Sequence, residues 1–258
     1  MRHAIIIVLA AALASTVACK KPTNEGSPRE TTSGIPPKPP EHPNASPEAL
    51  ERKARSEAKL KADRVTVNAT LPVIESESEA KIRTRDAVVE RAVALMIVAV
   101  KGEGLEQDGV LKNQEKLGAA TFFSPKEKAF VANLRPTQSE KAQFGWEYEC
   151  LGVMLWALGL EPELSRPDHI VDAAHVVKAV LDRGTAQLRA DAKLRSPKEL
   201  LDAADLIYRY DWTCVDARVS RKGAPKGVDC EVVVERHRAL NWLIGYQGQE
   251  WDDVSTDT

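Results

Sequence analysis

The chain has 258 residues, with 36 lysines and arginines against 38 aspartates and glutamates, so its formal net charge is only −2. This balance supplies neither the basic field that nucleic-acid binding needs nor an acidic tail, and we expect no nucleic-acid partner. The length suits an N-terminal leader followed by one domain or by two closely packed subdomains.

The first 18 residues have the pattern of a secretory signal. A short basic start at Met1–His3 precedes an uncharged apolar run from Ala4 to Val17, too short to span a bilayer as a mature helix. The run ends on T-V-A-C, which resembles the lipobox of bacterial lipoproteins, although Thr16 stands where that pattern prefers leucine. The resemblance implies cleavage before Cys19 and acylation of that cysteine. The alternative is an ordinary cleaved signal in which Cys19 has no role.

The residues after Cys19 predict a spacer and a location. Lys20–Pro47 holds 8 of the 15 prolines and almost nothing apolar, so we expect a disordered proline-rich tether over residues 19–46. Lysine after the lipidated cysteine resembles the signal for the outer membrane. The sequence thus predicts a cell-envelope protein, facing the periplasm or the cell surface, whose first partner is membrane lipid through acylated Cys19.

Helical patterns fill the predicted domain, residues 47–258. Ser46 caps a charged helix from Pro47 to about Arg64. Residues 65–74 are the only candidate strand, and Pro72 weakens it. The later signals are a helix capped by Thr84 that runs to Gly102, capping boxes at Ser124, Thr137 and Ser196, a central helix from Thr137 to Gly159, and helices near 169–183, 197–221 and 230–244. We therefore predict an all-α domain, a bundle of about seven or eight helices.

Charged residues occupy positions where these helices should be buried. The central helix is apolar on all sides from Cys150 to Leu158, yet Glu147 and Glu149 belong to the same helix. On the helix from Pro197, Asp211 and Arg218 are seven residues apart and so share one face, near the centre of an apolar stripe. These positions predict charges inside the bundle.

The last predicted helix carries side chains that can pair with these charges. Its core face includes Arg236, with His237 at the margin. Because a buried charge must be paired and hydrogen-bonded, we expect Glu149 or Asp211 to pair with Arg218 or Arg236. Such a cluster is either an ion-pair network that fixes helix register or a cleft where carboxylates and His237 carry out acid–base chemistry.

Three cysteines remain after Cys19, namely Cys150, Cys214 and Cys230, so at least one is free or intermolecular in an oxidising compartment. A bridge between Cys214 and Cys230 is conceivable across a helix hairpin. The sequence leaves that bridge open, because Cys214 lies two turns before the predicted helix end while Cys230 starts the next helix.

No metal or cofactor is predicted. Asp168, His169, Asp172 and His175 carry metal-ligating groups but spread over about a third of a helix circumference. The carboxylates of the tail Trp251–Thr258 lack a glycine-bearing calcium loop, so this segment predicts a docked C-terminus.

The stretch from Leu71 to Thr258 resembles the bacterial domain of unknown function 4272 (DUF4272). The residues that carry the resemblance are Leu71, Pro72, Trp146, Tyr148, Glu149, Leu155–Gly159, Asp205, Tyr208, Arg209, Trp212, Glu235–His237, Ala239–Leu243, Trp251–Val254 and Thr256–Thr258. The resemblance implies an all-α domain and favours Glu149 over Glu147, but it implies no catalytic residue. The lipoprotein leader departs from most of that family.

Two groups of candidate site residues follow. The candidate buried polar cluster comprises Glu149, Asp205, Asp211, Arg218, Arg236, His237 and Asn241. The C-terminal motif comprises Trp251, Asp252, Asp253, Thr256 and Asp257.

The leading functional hypothesis is a lipid-anchored, non-enzymatic binding or scaffolding domain with a protein partner that the sequence does not identify. The sequence contains no catalytic motif that would argue against this binding hypothesis. One alternative is an envelope hydrolase that uses Glu149, Asp211 and His237 around a helical cleft. Another is a protein that neutralises a secreted toxin by binding it.

Overall fold

Helices are the regular elements of residues 45–258, the part of the chain that the computed structural model describes. The nine α-helices are α1 (Pro47–Ala62), α2 (Arg85–Glu103), α3 (Gln107–Leu117), α4 (Pro125–Ala132), α5 (Gln138–Gly145), α6 (Glu147–Ala157), α7 (Ala173–Asp191), α8 (Pro197–Val219) and α9 (Cys230–Ile244). Two 3-10 helices follow, at Tyr246–Gly248 and Trp251–Asp253. The all-α fold class is confirmed, with nine helices where the sequence predicted seven or eight.

Polar side chains begin the helices at the predicted places. Ser46 and Thr84 each accept a hydrogen bond from the backbone N–H three residues on. Ser124, Thr137 and Ser196 form complete capping boxes, in which a glutamate at the third helical position returns a bond to the cap backbone. The three predicted boxes are confirmed.

The core forms around α2, which is buried on every side. From Val88 to Ala99 all but one of its residues are buried, and α3 to α7 all pack against it. Helix α6 is its main partner in the core and is itself apolar around its circumference. A polar side chain on α6 therefore enters the core, as Glu147 and Glu149 of its first turn do.

Helices α8 and α9 form an antiparallel pair. Asp211 of α8 contacts His237 of α9, while Cys214, further along α8, contacts Cys230 at the start of α9. Helix α6 packs on α9 and α1 packs on α8. This arrangement brings the charged residues of α6, α8 and α9 together in the interior.

The predicted central helix is wrong in one respect, because the structure divides it into α5 and α6 at Trp146. The end of α5 comes so close to α2 that a Cβ on Gly102 would lie 2.7 Å from the backbone nitrogen of Gly145. At this approach α5 ends, and α6 begins at Glu147. Its first turn contains both Glu147 and Glu149.

The candidate strand at residues 65–74 is also wrong, because the described chain is irregular there. Its carbonyls accept hydrogen bonds from side chains of neighbouring helices instead of from a second strand. Lys53 Nζ donates to Ala69 O at 2.7 Å and to Leu71 O at 2.6 Å. Arg209 Nη2 donates to Pro72 O at 3.1 Å. Cationic side chains on α1 and α8 thus supply the hydrogen bonds that these carbonyls would otherwise accept from a second strand.

Other boundaries differ from the prediction. Helix α3 was not predicted, since its sequence is polar and no side chain caps it. Helix α7 begins after its cap at Asp172 rather than at His169, and it continues through a kink at Gly184 (φ 64°) to Asp191. The predicted signal peptide, Cys19 and most of the tether lie outside the described residues. No helix in residues 45–258 has the length and apolar character needed to cross a membrane.

Candidate functional site

Glu149 and Arg236 form a buried ion pair between α6 and α9. Arg236 Nε donates to Glu149 Oε2 at 3.1 Å, and both side chains are less than 5% exposed. The second carboxylate oxygen accepts the backbone N–H of Val171, and Arg236 Nη1 donates to Ser165 O at 2.6 Å. The pair thus joins two helices to the loop before α7, and its polar atoms face one another, not a cleft.

Asp205 and Arg209 form a second buried pair within α8. The Nε and Nη2 atoms of Arg209 donate to the two carboxylate oxygens of Asp205, each at 2.8 Å, four residues apart on the helix. Both side chains are essentially buried. Because Arg209 also binds Pro72 O, this pair fastens the irregular segment to α8.

A third network surrounds the free cysteine of α6. Arg238 Nη2 donates to Glu147 Oε2 at 2.8 Å, to Glu235 Oε2 at 2.7 Å and to the Cys150 sulfur at 3.2 Å. Burial raises the pKa of the Cys150 thiol well above its ordinary value. The thiol is therefore a packed, protonated group and not a nucleophile.

Glu147 is expected to make stability fall as the pH rises. Burial raises its pKa to about 6 from an ordinary 4.5, although Arg238 partly opposes the shift. The folded chain therefore keeps a proton that the unfolded chain has lost, and this stabilisation disappears between about pH 4.5 and 6.5. We expect the unfolding free energy of Glu147→Gln, relative to wild type, to rise by about 2 kcal/mol across that window.

Urea unfolding of both proteins at pH 4.5, 5.5, 6.5 and 7.5 measures this difference. Glu250→Gln is the matched control, because the Glu250 side chain is 75% exposed. Its difference from wild type should stay within about 0.5 kcal/mol at each pH. A Glu147→Gln difference that shrinks as the pH rises would contradict the assignment.

The fourth pair involves Asp211 and His237. His237 Nδ1 lies 2.7 Å from Asp211 Oδ2, and both side chains are at most 6% exposed. Because a carboxylate only accepts, the bond keeps the imidazole proton on Nδ1 and leaves Nε2 as the free ring nitrogen. Tyr208 packs beside the ring, with the two ring centres 6.0 Å apart.

His237 lines a cavity of about 440 Å³ between α9, α1 and the irregular segment. The other lining residues are Ala45, Ser46, Ala49, Pro72, Val73, Ile74, Glu75, Ser76, Glu79, Tyr208, Asn241, Ile244, Tyr246 and Asp257. Asp211 lies on the far side of the pair and lines a second cavity of about 470 Å³. The His237–Asp211 pair therefore forms part of the wall between two cavities.

The C-terminal motif is a set of docking contacts. Trp251 is 5% exposed and packs edge-on against Trp242, with ring centres 5.6 Å apart. Asp252 accepts hydrogen bonds from Ser124 Oγ at 2.6 Å and from the backbone of Lys126 at 2.9 Å, so it binds the start of α4. This part of the motif fixes the tail to the domain, as the sequence predicted.

The remaining motif residues lie nearer the cavities. Asn241 Nδ2 donates to Ser255 O at 2.9 Å and holds the tail across α9. Thr256 lines the second cavity and Asp257 the first. Asp253 is exposed and has no side-chain bond within residues 45–258.

The sequence that forms these sites matches a known family. The profile of the family described as Domain of unknown function (DUF4272) matches residues 52–254. The chain belongs to the DUF4272 family. Comparisons with curated proteins and with solved structures give no match. The DUF4272 match begins inside α1, upstream of the Leu71 at which the sequence resemblance begins.

Arg218 is the one member of the predicted buried cluster that the structure leaves exposed. It is exposed in the last turn of α8, on the rim of the second cavity. Sharing a face with Asp211 did not bury it, because α9 begins at Cys230, opposite Cys214, and Arg218 lies one turn beyond that point. No helix of residues 45–258 covers α8 there.

Cys214 and Cys230 form a disulfide with their Cα atoms 5.7 Å apart, which settles the pairing that the sequence left open. Cys150 is the free cysteine of the described residues. The bridge fastens the start of α9 to α8 and lines the second cavity beside Asp211.

The side chains of Asp168, His169, Asp172 and His175, which carry metal-ligating groups, do not converge. His169 bonds its neighbour Asp168, and His175 Nε2 bonds Glu161 at 2.7 Å, both on the surface. No three histidine, cysteine, aspartate or glutamate side chains within residues 45–258 are placed to hold one metal ion.

Sequence reasoning missed two partners. Arg238 was not selected, although it lies four residues before Trp242 on a helix with little exposed surface, a pattern that could have flagged it. Arg91, which pairs with buried Glu127, was also missed within an otherwise apolar α2.

Proposed function

We propose that this DUF4272 chain is a lipid-anchored envelope protein whose helical domain binds a partner and does not act as an enzyme. The observation that carries the binding role is the pairing of the interior charges. Glu149, Asp205 and Glu147 are each paired with an arginine, so none of these three interior carboxylates is free to act as an acid or a base. Such pairing suits a rigid domain better than acid–base catalysis.

The anchor rests on the sequence at residues 16–19. T-V-A-C follows an apolar run of signal-peptide length, and a proline-rich segment separates Cys19 from the first helix. Burial of acyl chains contributes about 0.8 kcal/mol per methylene, so several chains on one cysteine hold a protein stably where a single chain is marginal. The domain would then be displayed from a membrane, with the outer membrane favoured.

Intact-mass analysis of membrane fractions tests the anchor. Cells expressing the wild-type chain should yield a protein that begins at Cys19 and carries added acyl mass. The Cys19→Ala variant should lose that mass and leave the membrane fraction. Wild-type protein that is unprocessed, or that is cut without acylation, would overturn the anchor.

A second candidate is a hydrolase in which His237, oriented by Asp211, removes a proton from a water molecule in the first cavity. The 2.7 Å bond and the position of His237 in the cavity wall favour it. Glu149 takes no part in this version, because both its oxygens are bonded elsewhere. Turnover of ester, amide or phosphoester substrates that His237→Gln abolishes would favour the hydrolase over the binding role.

A further inference from the structure

One end of the domain gathers cationic side chains from two parts of the chain. The turn after α1 and the loop between α8 and α9 meet there. Arg166 joins them, because its Nη2 donates to Asp63 O at 3.2 Å and would lie 2.9 Å from a Cβ on Gly227. The exposed cations of these two segments form what we call the basic face, namely Lys61, Arg64, Arg218, Arg221, Lys222 and Lys226.

Most of the charge on the basic face is unpaired. Lys222 pairs with Asp216 at 3.4 Å, and the other five cations form no ion pair within residues 45–258. Of the carboxylates nearby, Asp63 accepts a tyrosine hydroxyl and Asp229 caps α9, while Glu231 is exposed. The cations therefore outnumber the available carboxylates, and this end presents a positive field to solvent.

The other end of α1 is acidic. Its N-terminal cap, Ser46, lines the first cavity together with Glu75, Glu79 and Asp257, whereas Lys61 lies in its last turn. The 16 residues of this helix separate the two ends by about 24 Å. The nearly neutral net charge thus conceals a dipole, and a negatively charged surface would attract one end and repel the other.

An exposed aliphatic side chain lies among the cations. Val219 is 74% exposed and stands between Arg218 and Arg221 in the chain. This combination suits the surface of a bilayer, where cations contact anionic headgroups and an aliphatic group enters the boundary with the acyl chains. A soluble polyanion would use the charges alone.

The proposed anchor brings a bilayer within reach of this end. Residues 20–44 separate Cys19 from the described domain. At about 3.1 Å per residue when extended, they can span about 75 Å, roughly three times the length of α1. Attachment before α1 is therefore compatible with contact at the opposite end of that helix.

We propose that the basic face docks on the anionic phospholipid surface of the membrane that holds the anchor. Arg218, Arg221 and Lys226 contact headgroup phosphates, and Val219 enters the boundary between the headgroups and the acyl chains. The inference rests on the proposed lipid anchor, which brings the domain beside a bilayer, and it adds an orientation. In that orientation the acidic first cavity points away from the membrane.

Hydrogen exchange of the full chain, reconstituted into two kinds of vesicle, tests the docking. One kind is phosphatidylcholine alone, and the other contains about 30% phosphatidylglycerol. The amides of residues 219–227 should exchange at least about fivefold more slowly with phosphatidylglycerol, and about 0.5 M sodium chloride should remove the difference. Residues 77–79, at the acidic end, should exchange equally in both kinds of vesicle.

Two triple variants test which cations act. The first removes three cations of the basic face, by Arg218→Gln, Arg221→Gln and Lys226→Gln. It should return the loop to its exchange rate in phosphatidylcholine, because each cation near an anionic surface strengthens binding about fivefold. The matched control removes three exposed lysines of α3 and α4 that form no ion pair within residues 45–258, by Lys112→Gln, Lys116→Gln and Lys128→Gln. It has the same net charge and should keep the protection.

Three outcomes would overturn the docking. They are equal loop exchange in the two kinds of vesicle, protection that survives the loss of Arg218, Arg221 and Lys226, or equal protection by poly-glutamate added to the chain in detergent. A chain that is acylated at Cys19 but whose loop exchanges equally would overturn the docking and leave the anchor intact. A chain without acyl mass whose loop is protected by added phosphatidylglycerol vesicles would support the basic face and overturn the anchor.

Discussion

Replacing Arg236 with methionine is expected to lower the free energy of unfolding by about 3–5 kcal/mol, because it leaves the Glu149 carboxylate buried without its cation. The carboxylate is 3% exposed and keeps only the N–H of Val171 as a partner. Methionine fills most of the space of the arginine stem, so the loss arises mainly from the uncompensated charge. Urea unfolding at pH 7, followed by circular dichroism, measures it.

The double variant Glu149→Gln with Arg236→Met separates charge from packing. The glutamine oxygen can still accept the Val171 N–H, so the double variant should recover more than half of the lost stability. Lys198→Met serves as the surface control, since Lys198 is 56% exposed in its pair with Asp202. It should change stability by less than about 0.5 kcal/mol. A single Arg236→Met cost below about 1 kcal/mol would mean that the pair is not buried in solution.

The same pair shows what the sequence could predict. Helical spacing placed Glu149 and Arg236 among apolar residues, and the rule that buried charges are paired predicted that Glu149 or Asp211 would pair with Arg218 or Arg236. The structure selects Glu149 with Arg236 from these alternatives. The N-terminal caps were equally local signals, because Ser124, Thr137 and Ser196 each act on an N–H within the next turn. Helix α9 runs from Cys230 to Ile244, as its pattern predicted.

Features that depend on how helices meet could not be predicted. The break at Trp146 lies where Gly145 approaches Gly102, and these two residues are more than forty positions apart in the chain. The exposure of Arg218 depends on where α9 begins opposite α8. Helical periodicity states which side of a helix a residue occupies, but not whether a neighbour covers that turn.

The Cys214–Cys230 disulfide also depends on how the helices meet. Cys214 lies before the end of α8, which argued against a bridge to the start of α9. The loop after α8 is long enough to return alongside its last turns, so Cys230 comes level with Cys214 and not with Val219. Loop length and crossing geometry, not helix ends, decided the pairing.

Trp251→Ala is the second substitution with a large expected effect. Two guanidinium groups pack on the indole, with Arg91 Cζ 4.8 Å and Arg238 Cζ 4.6 Å from the ring centre. Each arginine also pairs with a buried glutamate, Glu127 or Glu147. Removing the ring therefore leaves a cavity beside two ion pairs, and we expect a loss of about 3–5 kcal/mol in the free energy of unfolding.

Urea unfolding measures this loss, and hydrogen exchange at Lys126 shows where it acts. The Lys126 N–H donates to Asp252, so its protection should fall when the tail detaches. Asp253→Ala is the matched control, because that neighbour is exposed and should cost less than about 0.5 kcal/mol. If Trp251→Ala lost less than about 1 kcal/mol with Lys126 still protected, the tail would be an attachment to a complete core. The expected loss would instead make Trp251 and Asp252 structural parts of the DUF4272 domain. The first cavity, which Asp257 of the same motif lines, would then be the part near the motif that is open to a ligand.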